Sequence, residues 1–519
     1  MKSLKYYIYT LVLFVVVGAC SDDVLDKNSI GKFDGADYLN TNEEAELAII
    51  GVYDYLSVGY NNYGNWSSIF FAKLLPGDDV NAGGGSSADL PKLQQLNSFS
   101  FEYDNPALTD VWHSFYRIIN ASNDIVNKIA DDLSVKDTIV AEAKFFRAFA
   151  YFELMTMWGD VPYYTELPAG KLSVELPRKP KSEILAYVVK DLQDAMTYLP
   201  LKSEWPLLQK YRISKGTVQA LLGKVYLYNG DFALAHQTFN QVISSNEYDL
   251  TPDYSDIWLK EERAGIESVF EVMYTSKNDH DWDGPWDGTG ESNFLIQLMG
   301  ARGDKSFNNM DAIGYTNGWG FNVPTKKFGD LLNAEAGAVR AITSVISEAD
   351  FETAGGEVNN PGGNNNWSAY EGYIRLKYCT RPSETSVGGV TEVNWGTPFK
   401  LIRYADVLLM AAEAYNRDMN DAAAVPLIKE VRERAGFVDH SAWEGLTGDL
   451  LFTYIKQERS LELAFEGHRF FDLIRWGDAA TELESRGFKA NKHELYPIPK
   501  REIDLNPGIS IDQQNPGYK

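Results

Sequence analysis

One stretch, ALLGKVYLYNGDFALAHQTFNQVI at residues 220–243, constrains the fold of this chain more than any other. Gly223 stands three residues before Tyr226, a Gly230-Asp231 pair interrupts the pattern, and Ala235 and Phe239 follow four residues apart. Steps of three and four place side chains on one helical face, and a Gly-Asp pair ends a helix, so the spacing predicts a helix-turn-helix. Small residues let the two helices approach, and Phe239 fills the gap between them. The stretch RYADVLLMAAEAYNR, followed by AAVPLIKEVRERAG, repeats the theme more loosely.

This pattern matches the tetratricopeptide helix-turn-helix, with unrelated helical hairpins as the alternative reading. From Pro106 to Asp132 the apolar residues Val111, Phe115, Ile118, Ile119, Ile125 and Ile129 recur at mostly three- and four-residue steps, as they do in AEAKFFRAFAYFELMTMW. Such periodicity predicts amphipathic helices packed in pairs. Between 278 and 399 the composition turns to Gly, Asn, Trp and Thr, as in YTNGWGFN and NNPGGNNNW, and a smaller loop-rich zone lies in GYNNYGNW and LPGDDVNAGGGSSAD. Long loops in a compact domain usually carry function. The expected fold is mainly α: a tetratricopeptide-like helical-pair scaffold over about 40–275 and 400–490. Its loop-rich insertions, chiefly 278–399, form a ligand-binding face, and a Pro-rich tail covers 491–519. All of this falls in a single domain from 20 to 519.

Charge removes several functions. With 48 basic against 73 acidic residues the formal net charge is −25, so a polyanion such as nucleic acid is repelled. None of the six histidines has the paired spacing of a zinc helix, and no metal or cofactor is expected. GTVQALLGK has glycines like a phosphate loop, but six residues separate Gly216 from Gly223 where four are needed, and Val225 replaces the hydroxyl residue. Paired acids can always be imagined among 73 carboxylates, so their abundance points to no catalysis. In ERSLELAFEGHRFFDLIRW, Leu461, Phe465, Leu473 and Ile474 suit a core-facing stripe. Glu462 and Glu466 stand four apart there, with Arg469 and Asp472 in reach at three-residue steps, as in a structural ion network.

The first nineteen residues read as an export signal: Lys2 and Lys5, an apolar run from Leu11 to Val17, then Gly18, Ala19 and Cys20. An uncleaved anchor helix would need about 20 apolar residues, and Ser21, Asp22 and Asp23 end the run early. VVGAC resembles a bacterial lipobox, with Val17 where Leu is usual, which makes Cys20 the lipidation site. SDDVLD resembles the surface-export signal of Bacteroidetes lipoproteins, which places the protein at the cell outer membrane, lipid-anchored and facing outward. With Cys20 acylated, Cys379 in RLKYCT has no intrachain partner and reads as a buried strand residue.

Three segments carry a wider resemblance. AEAKFFRAFAYFELMTMWGDVPYY, ERSLELAFEGHRFFDLIRWGD and LYPIPKREIDLNPGISIDQQNPGY resemble the signature segments of the SusD/RagB family of outer-membrane lipoproteins, in the family's order along nearly the whole chain. The resemblance implies a non-enzymatic nutrient- or glycan-binding protein that sits as a lid on a SusC-like TonB-dependent transporter. The ligand is held there by variable middle loops, so the resemblance names no particular sugar.

The loops themselves point the same way. In WDGPWDG, Pro285 cannot sit in a helix interior and Gly284 and Gly288 favour turns, which sets Trp282 and Trp286 on an ordered loop. A flat indole offers the C–H face of a sugar a polarizable platform, while Asp and Asn bond its hydroxyls. Trp66, Tyr315, Trp319, Trp367 and Trp395 stand in similar Gly/Asn-rich contexts, and Asp78, Asp79 and Asn81 are candidate acceptors. Few cations occur from 278 to 308 to meet uronates or sulfates, so a neutral glycan is expected. A peptide-binding member of the same family, a surface glycoside hydrolase and a pure repeat scaffold remain the alternatives.

Overall fold

The computed structural model describes residues 38–61, 66–166, 175–277, 291–303, 306–335, 338–359 and 367–518. The leader, Cys20, Trp282 and Trp286 lie outside the described residues. Among the described residues, eight helices build the paired scaffold: α1 (Asn42–Tyr60), α2 (Pro106–Lys128), α3 (Lys136–Trp158), α4 (Lys181–Tyr198), α5 (Lys215–Asn229), α6 (Phe232–Ile243), α7 (Tyr404–Arg417) and α8 (Asp421–Arg434). Each packs on the next, including α6 on α7, although about 160 residues separate those two in sequence. The array is therefore continuous in space, and the intervening insertion leaves and re-enters it, as the tetratricopeptide-like reading expects.

Local chemistry sets the helix starts. Thr41 and Glu44 form a reciprocal capping box on α1, and the Asn105 side chain accepts from the amides of Ala107 and Leu108 ahead of Pro106. Helix α5 starts at the Ser214 cap and ends at Gly230, whose φ of +84° is the left-handed cap that glycine adopts freely. At Gly223 a Cβ would lie 2.6 Å from the Phe239 ring, so the absent side chain is what lets α5 and α6 close together. Gly223→Val is expected to cost about 1–3 kcal/mol of folding free energy through overpacking. Denaturant unfolding checks this, and an unchanged midpoint would remove the packing role.

Three expectations change. Helix α3 is not amphipathic: from Ala141 to Trp158 almost every residue is buried, because α1, α2 and α4 all pack against it. Its buried charges are paired, Arg147 with Asp191, Glu142 with Arg212 and Glu153 with Lys73. ERSLELAFEGHRFFDLIRW is not one helix either. It breaks after α9 (Gly448–Glu462), with Phe465 and Gly467 at φ +68° and +81°, and resumes as α10 (Arg469–Trp476). The break turns Glu462 and Glu466 onto Arg403, Arg340, Arg434 and Lys377, while Arg469 pairs with Asp78 and Asp472 with Arg459 and Arg475. Cys379 is buried as expected but lies just past a turn, four residues beyond the end of a strand.

The insertion holds short antiparallel ladders. Strand β1 (Val80–Gly83) pairs with β3 (Phe321–Pro324), β4 (Val345–Ser347) with β5 (Tyr373–Arg375), and β2 (Ser268–Val272) with β6 (Phe399–Arg403). Strand β6 leads directly into α7, so the last ladder returns the insertion to the scaffold. The main core runs from Leu39 to Tyr518, and a second cluster around Phe307, Val323, Phe351 and Ile374 fills the insertion. The Pro-rich tail closes the C-terminal end of α3: the Trp158 indole donates to the Pro497 carbonyl, and the Asn515 amide donates to the carbonyls of Trp158 and Tyr496.

Candidate ligand-binding site

Three loops meet beside the mouth of α1. Residues 300–303 cross 318–320 with Gly318 N–H donating to the Ala301 carbonyl at 2.6 Å and Gly320 N–H to the Gly300 carbonyl at 2.9 Å. A Cβ on Gly318 would lie 2.5 Å from the Gly300 Cα, so this crossing requires glycine. The third loop joins through Gly84 N–H, which donates to the Gly320 carbonyl at 2.7 Å. Trp319 is fixed at both backbone groups: its N–H donates to the Gln297 carbonyl, and its own carbonyl accepts from Arg302 Nη1 at 3.0 Å.

On this frame the Trp319 indole meets Trp66 edge to face, with ring centroids 5.4 Å apart and planes at 85°. Trp66 holds the left-handed conformation at φ +67°, a position that bulky residues rarely occupy. Backbone strain of this kind concentrates at ligand sites. Both rings are half-buried and pack against the edge of the main core. Next to Trp66, Lys92 Nζ donates to Ser67 Oγ at 2.7 Å, and that hydroxyl donates to Asp110. Partial burial holds the Lys92 ammonium below its ordinary pKa. Thr316 and Asn317 are exposed beside Trp319. Half-buried indoles thus stand beside the exposed Thr316 and Asn317, with the buried Ser67 hydroxyl tying Lys92 to Asp110 behind them, a composition that suits a hydroxylated ligand. Among the described residues no group of three or more His, Cys, Asp or Glu side chains is placed to hold a metal ion.

The other sequence candidates are corrected. Trp367 is buried and donates its indole N–H to the Gly320 carbonyl, stacked on Tyr370, so it supports the Trp319 loop from beneath. Trp395 is buried in the main core and donates to the Glu392 carbonyl. Tyr315 is buried in the second cluster, with Arg381 donating to its hydroxyl. Asp78 is ion-paired to Arg469 and Lys327, and Asn81 donates to Ala369 and Glu371. Asp79 is fully buried and accepts from the Phe465 amide. Each is turned inward, and apart from Asp79, whose second carboxylate oxygen has no hydrogen-bond partner among the described residues, each is tied to partners inside the fold. Lys92, Ser67 and Asp110 gave no signal in the sequence, since they come from three different segments.

Asp79 provides a pH test of this reading. Burial, and then the charge of Asp78, raise its carboxyl pKa to about 6. A carboxyl raised in the folded state favours folding while protonated, and that contribution is lost as the pH rises from the unfolded value of about 4 through 6. Asp79→Asn, which keeps an acceptor for Phe465 but leaves a buried amide short of partners, is expected to stabilise the fold by about 1–2 kcal/mol at pH 7.5. The gain should shrink toward pH 4.5 in paired urea titrations. A pH-independent difference would mean that Asp79 is not the titrating group.

Comparison with known proteins follows the same outline. A profile described as "SusD family" matches residues 343–518, and one described as "Starch-binding associating with outer membrane" matches residues 80–227. SusD-like protein P2 of Formosa agariphila is 28% identical, over 99% of this chain and 100% of its own length. Among solved structures, a "Laminarin binding SusD-like protein" superposes with a TM-score of 0.78 at 30% identity, over 92% of this chain and 100% of that one. Surface glycan-binding protein A from Bacteroides thetaiotaomicron, in complex with laminarihexaose, shares the fold with a TM-score of 0.76 at 23% identity, covering 92% and 100% of the two chains.

Proposed function

The chain belongs to the SusD family, and from that premise we propose that it captures a neutral glycan outside the cell through the Trp66–Trp319 corner. It performs no chemistry on the glycan and hands it to a SusC-like TonB-dependent transporter. The observation that carries the reading is the half-buried, perpendicular indole pair on a loop crossing locked by glycines and backbone hydrogen bonds. A platform already held in place loses little freedom when a ligand arrives, so stacking is retained as affinity. From 278 to 308 the only Lys or Arg residues are Arg302 and Lys305, which favours neutral over anionic sugars.

Laminarin is the first ligand to try, because a similar protein is described as binding it, and starch is the second. Calorimetric titration of the mature domain with laminarin, starch and an anionic polysaccharide is expected to show binding to a neutral glycan and no release of reducing sugar. Absence of binding across a neutral panel would overturn the proposal.

The same reading includes one domain from 20 to 519, an acylated Cys20 and a transporter partner. No helix among the described residues is long and apolar enough to cross a membrane. The α6, α7 and α9 end of the scaffold exposes Leu234, Met419 and Leu450, a surface suited to contact with another protein. Acyl chains anchor by about 0.8 kcal/mol per buried methylene. Cys20→Ala is therefore expected to shift the protein from the outer-membrane fraction to the soluble one and to reduce its co-purification with a large barrel. A variant that still resists extraction from membranes would show another anchor.

A further inference from the structure

A second groove, of about 310 Å³, runs along α1, between that helix and β2. Ile50 and Met273 give it an apolar floor, and Tyr53 and Tyr211 form a corner with ring centroids 5.8 Å apart and planes at 84°. The two phenols are used differently. Tyr53 donates to Glu142 and accepts from the Ile213 amide, so it offers the groove only its ring. The Tyr211 hydroxyl makes no hydrogen bond to a described residue, and its ring is only half-buried.

Asp54 and Glu291 line the groove as well, and among the described residues no lysine or arginine does. The nearby Arg117 guanidinium lies over the Tyr55 ring at 4.4 Å. Burial, and then Glu291, raise the Asp54 carboxyl above its ordinary pKa. An anionic ligand is repelled by such a lining, whereas hydroxyl groups can donate to it.

We propose that this groove is a second saccharide subsite, in which a neutral pyranose lies against Tyr211 and its hydroxyls donate to Asp54. The proposal rests on the glycan-binding reading given above. The volume suits a sugar unit or two, and it falls at the small end of ligand pockets. Asp54 is seven helical residues from Asn61, about 10 Å, and five further residues reach Trp66, so the two sites lie no more than about 27 Å apart. A polymer that engages both gains avidity that a short oligosaccharide cannot.

The test compares laminarin with laminaritriose on wild type, Trp319→Ala, Tyr211→Ala and Asp54→Asn. Tyr211→Leu is included because it keeps an apolar contact with Tyr53 if the alanine variant melts early. Tyr211→Ala or Tyr211→Leu, and separately Asp54→Asn, should weaken laminarin three- to tenfold, with the main trisaccharide affinity unchanged within twofold. Trp319→Ala should weaken both ligands. Laminarin affinity equal to wild type in the folded Tyr211 and Asp54 variants overturns the groove while leaving the tryptophan site intact. Failure of wild type to bind either ligand overturns both readings for this glucan.

Discussion

Trp319→Ala is expected to lower glycan affinity about tenfold or more while moving the melting temperature little. Stacking of an aromatic ring on a flat ligand is worth about 1–3 kcal/mol by analogy with base stacking, and a half-open indole contributes modestly to the core. Trp66→Ala should behave alike, since the two rings make one edge-to-face unit. The opposite result is expected of Trp367→Ala and Trp395→Ala. Both rings are buried and donate to backbone carbonyls, so each truncation should cost roughly 3–5 kcal/mol of stability. Trp367→Ala should also weaken binding, because the Gly320 carbonyl beside Trp319 loses one of its two donors and keeps only the Gly84 amide. Melting curves and calorimetry on the four variants separate platform from buttress. If Trp66→Ala and Trp319→Ala both bind as wild type, the ligand site lies elsewhere among the loops, with Trp282 and Trp286 next to test.

Glu462→Gln is expected to be the most destabilising change away from the loops. Glu462 is fully buried at the end of α9 and accepts from Arg340, Arg403 and Arg434, while the adjoining Glu466 meets Arg403 and Lys377. Removing one partner from such a network strands buried cations, at a cost of about 3–5 kcal/mol. Although burial opposes ionisation, Arg434, Arg403, Arg340 and Lys377 together hold the Glu462 carboxyl well below the usual carboxylate range. For a depressed carboxyl the stabilisation is present above the unfolded pKa of about 4.3 and is lost as the pH falls toward the folded value. Wild type should therefore lose stability steeply below about pH 4, and Glu462→Gln should show a flatter acid limb. Equal acid sensitivity in the two proteins would assign the transition to other carboxylates.

The network shows where reading the sequence reached its limit. Glu462 and Glu466 were legible as members of an ion network, yet the partners at helical spacing were not the ones used. The helix ends at Glu462 and a left-handed turn follows at Phe465 and Gly467; Gly467 is a local stop signal, but the left-handed Phe465 that redirects Glu466 is not one. Helix α3 was legible as a helix but not as the covered centre of the array, because periodicity reports only the contrast between faces, and this helix has almost no exposed face.

Among the loop aromatics the sequence could not separate platform from packing. Trp66, Trp319, Trp367 and Trp395 all stand in Gly- and Asn-rich stretches, and although the sequence favours Trp319 it makes each of them a candidate for a ligand. What divides them is what each indole packs against: Trp66 and Trp319 meet across about 250 residues of sequence, whereas Trp367 and Trp395 are buried in the two cores. The sequence by itself determined the helical pairs, through three- and four-residue spacing, the Gly223 gap for Phe239 and the Gly230 stop, because these are interactions within one helix or between two helices joined by a short turn. Only the tertiary structure decided the site. The crossing of 300–303 with 318–320 and the approach of Gly84 and Trp66 are set by long-range hydrogen bonds that no short window of sequence encodes.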